Sequence, residues 1–407
     1  MSKHAHPWGT PPWTIDFRPA RRPLPTHVDF AIVGGGFAGL SAAAWLARLA
    51  PHKSVAVFEC ERIGNGASGR TGGMVLDATA VGPLPGLGNV LAGYRKILRA
   101  LKIDAHLALP GVWEIARSNG LKASPISWND SGELRAVRKV PGGAIDPGKV
   151  VAGLARAAEK AGAQIFENAE VLAITPGATG SQSFSSAPIT LRVRRKTGVR
   201  ARPASITADR VLLTTNAASL GFSGLSKRAE PKLTLALATA PLSPAQLRAL
   251  GLSSRRPFYT VDFPYLWGRL LENNGVIFGA GLLPLPGSAS SPFTNRAVTP
   301  GATLSFQHLL RFDVGNGIAA ERLAWLESRI RSMHPALQDV RITHRWCGPI
   351  LLTKDFKPVF RLHPANKRTL ILAGFSGHGV ALSVYLAQRA AQFLLGLRPL
   401  PRWTATR

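Results

Sequence analysis

The sequence predicts an α/β nucleotide-binding domain interrupted by a second domain built on a mixed or antiparallel sheet. Three observations carry this. A strand, a glycine turn, a helix and a second strand ending in an acid follow one another at residues 28–59, a βαβ unit of ordinary length. A further strand, glycine-rich loop and helix close the chain at 370–395. The 407 residues, 45 % hydrophobic and 18 % charged, suffice for two domains sharing a large core and exclude a disordered or fibrous chain.

Residues 1–26, rich in Pro, Trp and Arg without periodicity, read as an extended arm, with Trp8 and Trp13 pinning it. Val28–Val33 is an apolar run of strand length, 34–39 the turn, Leu40–Ala50 an Ala/Leu helix that Pro51 breaks, and Ser54–Glu59 the second strand. A helix is predicted around Val90–Leu101, with strands near Gly111–Ala116 and Leu134–Val137. Asp146-Pro147 starts the next helix, the Asp as N-cap and the Pro at the first helical position, and Gly162 ends it. Gln164–Glu167 and Val171–Thr175 read as strands. The alternating run 192–202 reads as a solvated hairpin turning at Gly198, and Val211–Thr215 as a buried strand. Strand-like runs fill 233–282, among them Tyr259–Leu271 and Val276–Ala280. A helix fits Ile318–Met333 until His334-Pro335 stops it. Strand Leu370–Leu372, loop 373–379 and a helix from Val380 to about Leu395 finish the chain. The division follows: arm 1–26, nucleotide domain 27–80, 142–225 and 341–407, substrate domain 81–141 and 226–340.

Fifty Lys and Arg against 22 Asp and Glu leave a net charge of +28, which concentrates anions at the surface and repels polycations. Two cysteines build neither a disulfide framework nor a zinc site, so no metal and a cytoplasmic location are expected. No apolar run reaches the about 18 residues of a spanning helix. The N-terminus lacks the apolar stretch of a signal peptide, and Pro23 and Pro25 after Arg21-Arg22 argue against a twin-arginine signal.

Gly34-x-Gly36-x-x-Gly39 sits between strand and helix, a Rossmann-like fingerprint. The first glycine permits the turn, the second admits a pyrophosphate, the third lets helix and strand pack, and the helix N-terminus attracts the phosphates. Glu59, 20 residues after Gly39, can accept both ribose hydroxyls and disfavours a 2′-phosphate. A second small-residue run (Ala67, Ser68, Gly69, Arg70, Thr71, Gly72, Gly73) follows directly. It lets backbone pass close to a ligand longer than NAD.

These residues resemble the D-amino-acid-oxidase-like superfamily of FAD oxidoreductases, on the branch containing sarcosine oxidase and γ-glutamylputrescine oxidase. The resemblance runs from about Leu24 to near the C-terminus in three blocks: GGGFAGL…E…GASGRTGG, Asp146–Val171, and Trp346-Cys347-Gly348…Thr353-Lys354-Asp355…Gly374-Phe375-Ser376-Gly377-His378-Gly379. It implies FAD held by Gly34, Gly36, Gly39, Glu59, Cys60, Ala67, Ser68, Arg70, Thr71, Gly72, Gly73, Val171, Gly348, Gly374, Ser376, Gly377, His378, Gly379 and Val380. The last helix would then point at the flavin pyrimidine, where charge appears on reduction. The implied chemistry is hydride removal from a C–H beside an amine nitrogen to flavin N5, followed by imine hydrolysis.

Departures from the family pattern restrict the substrate. Amino-acid oxidases of the superfamily place a basic residue five positions before the Asp of the third block, here Ile350. Sarcosine oxidase has a Lys three positions after its loop His, here Ala381. An unpaired buried carboxylate costs on the order of several kcal/mol, so a small amine without an α-carboxylate is expected. Arg70, Arg269 or Arg345 could anchor an acid from another direction. The flavin-linked Cys of sarcosine oxidase falls on Gly348, so FAD is expected without a covalent bond; Cys347 points to the opposite strand face, and Cys60 is expected to be packed. His378, Tyr265 and Trp267 are the catalytic candidates: the His as substrate ligand or base, the aromatics, with Arg269, on one face of a strand as walls for an amine. The alternatives are a D-amino-acid or N-methyl-amino-acid oxidase or dehydrogenase, a carboxymethylaminomethyl-uridine tRNA-modifying enzyme using the basic surface, and a flavin-binding subunit without turnover. The electron acceptor, O2 or a quinone or protein, is open. The absence of Lys between Lys232 and Lys354 tilts toward a dehydrogenase. Oligomeric state is not legible.

Overall fold

The computed structural model describes residues 6–117, 120–176, 188–195, 202–281 and 310–404. Its first large sheet orders the strands Val359–His363, Asn366–Ala373, Ala204–Leu213, His27–Val33, Val55–Phe58 and Gln164–Phe166. The last five are mutually parallel, as βαβ crossovers require. Strands Ile189–Arg195 and Ala169–Thr175 extend it antiparallel from Ala204–Leu213. Ile189–Arg195 and Ala204–Leu213 are the antiparallel strands on either side of the hairpin predicted at 192–202, whose turn at Gly198 lies outside the described residues.

Helix Phe37–Leu49 is buried along nearly its whole length. With helices Val90–Ala100, Pro147–Lys160 and Gly379–Leu394 it covers one face of this sheet, over Ile32, Val57, Leu212, Leu370 and Leu372. Asn89 caps the second of these and Asp146 the third, each side-chain oxygen accepting a backbone N–H three residues on, at 2.8 and 2.9 Å. Gly162, at φ +104°, follows the third helix.

The second sheet orders Ile342–Thr353, Ala229–Thr239, Val276–Ala280, Trp267–Leu270, Phe258–Thr260, Val112–Ala116, Glu133–Val140 and Ser127–Asn129. Neighbours are antiparallel except Phe258–Thr260 with Val112–Ala116, so the sheet is mixed. One face packs Trp128, Phe258, Phe278, Leu235 and Leu237 against helix Gly317–Met333. Among the described residues the other carries a small cluster, Ala236, Ala238, Ile277 and Trp346, with Trp13 and Trp267 against it. Strand Ile342–Thr353, grouped by the sequence with the nucleotide part, pairs along its length with Ala229–Thr239. The chain therefore crosses back to the first sheet after Thr353 rather than at 341.

One further expectation changes. Tyr259–Leu271 is not one strand: Phe258–Thr260 and Trp267–Leu270 are separate, joined by a turn at 261–266 where Asp262 and Pro264 interrupt the ladder. The arm is pinned by its tryptophans. Trp8 is buried and its carbonyl accepts the N–H of Cys347 at 2.8 Å. The Trp13 indole donates to the Gly69 carbonyl at 2.7 Å and meets Trp346 edge-on.

Candidate active site

The glycine turn lies at the carboxyl end of His27–Val33. The Gly35 N–H donates to Glu59 Oε2 at 2.8 Å and the Glu61 N–H to Oε1 at 3.0 Å. Burial raises the Glu59 pKa, and those N–H donors oppose the rise. The Phe37 N–H, in the first turn of its helix, donates to Ser68 Oγ at 2.9 Å. A Cβ on Gly36 would stand 2.7 Å from that hydroxyl, so only glycine leaves the cradle open. The helix has no side-chain cap. An open cradle at an uncapped helix N-terminus, with a carboxylate one strand away, is the donor and acceptor set that a pyrophosphate and its adenosine ribose require. FAD fits. Val171 is buried on a strand whose first N–H, that of Ala169, donates to the Glu59 carbonyl at 2.7 Å. Cys60, expected to be packed, is exposed, its thiol donating to Glu59 at 3.3 Å.

Ala67–Arg70 forms a single helical turn. Arg70 is buried there with Nε donating to Asn65 O at 2.9 Å, Nη1 to Trp8 O, Gly9 O and Cys347 O at 3.1, 2.8 and 3.3 Å, and Nη2 to Asn65 Oδ1 at 3.4 Å. It joins arm, loop and second sheet. The Thr71 hydroxyl accepts the Gly73 N–H at 3.4 Å. Gly72 has no room for a side chain, because a Cβ would come 2.2 Å from the Trp267 ring. The cofactor loop and the second sheet thus meet at Gly72 and Trp267.

The closing loop leaves Asn366–Ala373 at the same sheet edge as the glycine turn, with Ala204–Leu213 between them. Thr214, just after that strand, donates to the carbonyls of Val33 and Gly34 at 2.9 and 3.0 Å, and Asn216 accepts the Gly374 N–H at 3.0 Å. One short segment therefore fastens both glycine turns. Ser376 Oγ accepts the Thr353 N–H at 3.1 Å and its N–H donates to Leu351 O at 3.2 Å, tying the loop to the second sheet. Gly374, Ser376 and Gly377 have positive φ. His378 precedes Gly379 and Val380, and the helix has no side-chain cap. His378 Nδ1 lies 3.0 Å from the Ser376 carbonyl; only a protonated Nδ1 can bond there, which leaves Nε2 as acceptor. Burial lowers the His378 pKa, the Ser376 contact opposing it.

Trp346 and Gly348 share the face turned to the loop: Trp346 Nε1 donates to Arg70 O at 2.9 Å, and a Cβ on Gly348 would be 3.0 Å from Arg70 Cβ. Cys347 points the other way into the core under helix Gly317–Met333, where burial pushes its thiol up to about 12. By alternation Ile350 lies on the loop-facing side, and Ala381 is buried. The alternative anchors are engaged. Arg269 is buried, donating to the carbonyls of Gly72 and Leu270, its pKa lowered to about 10 by burial. Arg345 pairs with Glu327. The sequence implied no lysine from the middle of the chain, but Lys232 stands cross-strand from Ile350, with Nζ 3.3 Å from Glu230 Oε1.

Tyr265 does not share a strand face with Trp267 and Arg269, because it lies in the 261–266 turn. Arg117 and Arg329 hold that turn through the carbonyls of Pro264 and Tyr265, both pairing with buried Asp130 at 2.6 Å, while Arg117 also pairs with Asp262. The register partner of Trp267 is instead Tyr259, followed by Glu114. Sequence reasoning passed over both; the one signal was a lone acid inside the apolar run Val112–Ala116.

Among the described residues no group of three or more His, Cys, Asp or Glu could hold a metal, and no helix is long and apolar enough to cross a membrane. The family model for FAD-dependent oxidoreductases (DAO) matches residues 29–393. The chain is 26 % identical to the gamma-glutamylputrescine oxidoreductase of Escherichia coli (strain K12), over 90 % of this chain and 84 % of that protein. It is likewise 26 % identical to the glycine oxidase of Bacillus licheniformis, over 90 % and 93 %. Among solved structures, glycine oxidase from Geobacillus kaustophilus superposes with a TM-score of 0.61 at 18 % identity, covering 92 % of this chain and 96 % of that one. With a family match spanning both glycine turns and the sheet between them, this chain belongs to the DAO family and is an FAD-dependent oxidoreductase.

Proposed function

We propose that the protein oxidises the C–N bond of a small amine lacking an α-carboxylate. The observation that carries this is the pair of apolar positions, Ile350 and Ala381, where a carboxylate anchor would stand, with Arg70, Arg269 and Arg345 engaged by backbone or Glu327. The E. coli relative named for γ-glutamylputrescine supports it; the glycine oxidase relative is the reason to test it against amino acids.

Gly34, Gly36, Gly39, Ser68, Glu59 and Val171 would hold the adenosine diphosphate half of FAD, and Gly72, Gly73, Gly348 and Gly374–Val380 the other half. With Cys347 on the far strand face, we read the cofactor as held without a covalent bond. FAD, when bound, supplies the two-electron acceptor for the C–H bond beside nitrogen. The uncapped N-terminus at Gly379–Val380 presents N–H groups that favour negative charge in front of them. His378 Nε2, neutral because burial lowers its pKa, accepts a proton from the substrate ammonium and leaves the nitrogen lone pair free. Trp267 walls the site between loop and sheet. The test is anaerobic mixing of the FAD-loaded protein with a γ-glutamyl amine and with sarcosine. Bleaching by the first alone is the expected result, and bleaching by sarcosine alone refutes the reading.

A further inference from the structure

The sheet face that meets the cofactor loop carries a buried acid that the proposed reaction does not use. Gly279, Trp267, Tyr259, Glu114 and Arg138 are successive register partners on five adjacent strands. Phe258 and Ile115, their chain neighbours, point into the opposite core, so this row lies on the side of Trp267 and Gly72. Strands lie about 4.8 Å apart, which puts Tyr259 one strand beyond the wall at Trp267. Its phenol donates to Glu114 Oε1 at 2.5 Å, and Arg138 Nε donates to the other carboxylate oxygen. Glu114 is only 6 % exposed, whereas the Arg138 side chain is 70 % exposed at the rim.

A phenol has one proton, and a carboxylate only accepts. With that proton committed to Glu114, the Tyr259 oxygen offers only lone pairs to a bound molecule. Burial and the Glu114 carboxylate raise the Tyr259 pKa strongly, so the proton stays. Glu114 stays ionised: burial works against its charge, but hydrogen bonds from Arg138 and Tyr259 outweigh it and lower the pKa.

We propose that Tyr259, oriented by Glu114, is a specificity-determining residue of the site: its oxygen accepts an N–H from an amine and turns carboxylates away. This rests on the amine-oxidation reading and gives it a positive cause, beyond the lack of an anchor. A carboxylate brought to Tyr259 would meet lone pairs backed by a second negative charge, whereas an ammonium or amide N–H finds an acceptor.

tert-Butylamine and pivalate have the same shape and differ in this one group. The amine has no hydrogen on the carbon bearing nitrogen, so it binds without turning over. Titrating the FAD-loaded protein with each, read by calorimetry and by the flavin absorbance band, gives the ratio of their Kd values. The expected result is at least about tenfold preference for the amine. Tyr259→Phe weakens amine binding about tenfold and leaves pivalate unchanged; Glu114→Gln, which frees the phenol to donate, narrows the ratio by a similar factor. Equal binding by the native protein, a ratio indifferent to both Tyr259→Phe and Glu114→Gln, or binding of neither ligand overturns the proposal. Isopropylamine, which keeps the hydrogen, separates the two readings. If it bleaches the flavin while the ratio ignores Tyr259 and Glu114, only the specificity role falls. If the ratio responds but no amine bleaches the flavin, the oxidation reading falls and the recognition role stands.

Discussion

At the scale of single residues, His378 makes the sharpest demand. Its Nδ1 proton is held by the Ser376 carbonyl, and burial sets its pKa below the ordinary histidine value of 6.5. The ring is therefore neutral through the neutral range and becomes charged only in acid, where it can no longer accept a proton. Activity is lost on the acid side of the profile, with a midpoint below 6.5. In the FAD-loaded protein His378→Asn is expected to lower kcat/KM by about 100-fold or more and to remove that acid limb; a pH–rate profile of both proteins checks it. The nucleotide residues were legible at this scale because Gly34, Gly36, Gly39 and Glu59 lie within one short unit whose spacing is its own signature. Glu114 and Tyr259 were not, because their partnership spans 145 residues and exists only once the strands align.

At the scale of elements, helices and strands with local punctuation were read closely. Asp146, Gly162 and His334-Pro335 each set a boundary by chemistry within a few residues. The run 259–271 was misread because apolar alternation continues through a turn whose hold comes from elsewhere. Arg117 follows one strand, Asp130 precedes another, and Arg329 lies on helix Gly317–Met333, and all three meet around Pro264. Asp130 is the shared counter-ion of two largely buried arginines. Asp130→Ala is expected to cost about 3–5 kcal/mol, the usual penalty for leaving buried charges unpaired. Urea unfolding measures this. A loss below about 1 kcal/mol would mean that the arginines hold the turn through Pro264, Tyr265 and Asp262 without Asp130.

At the scale of the whole molecule, the two-sheet architecture was legible from the glycine motifs at both ends. The point of return to the first sheet was not, because Ile342–Thr353 pairs with a strand about a hundred residues earlier. The net charge of +28 repels a cationic substrate from a distance, and salt screens such fields over about 10 Å at 0.1 M. Raising the ionic strength from 20 to about 300 mM is therefore expected to raise kcat/KM for a singly charged amine and to leave kcat unchanged; a falling kcat/KM would mean a locally acidic approach to the site. The central claim, two electrons removed from carbon beside nitrogen, is tested most directly by anaerobic titration of the FAD-loaded protein with its best amine. One equivalent of amine should bleach one flavin and yield one equivalent of carbonyl product. A flavin that stays oxidised with every amine and every amino acid tried would contradict it.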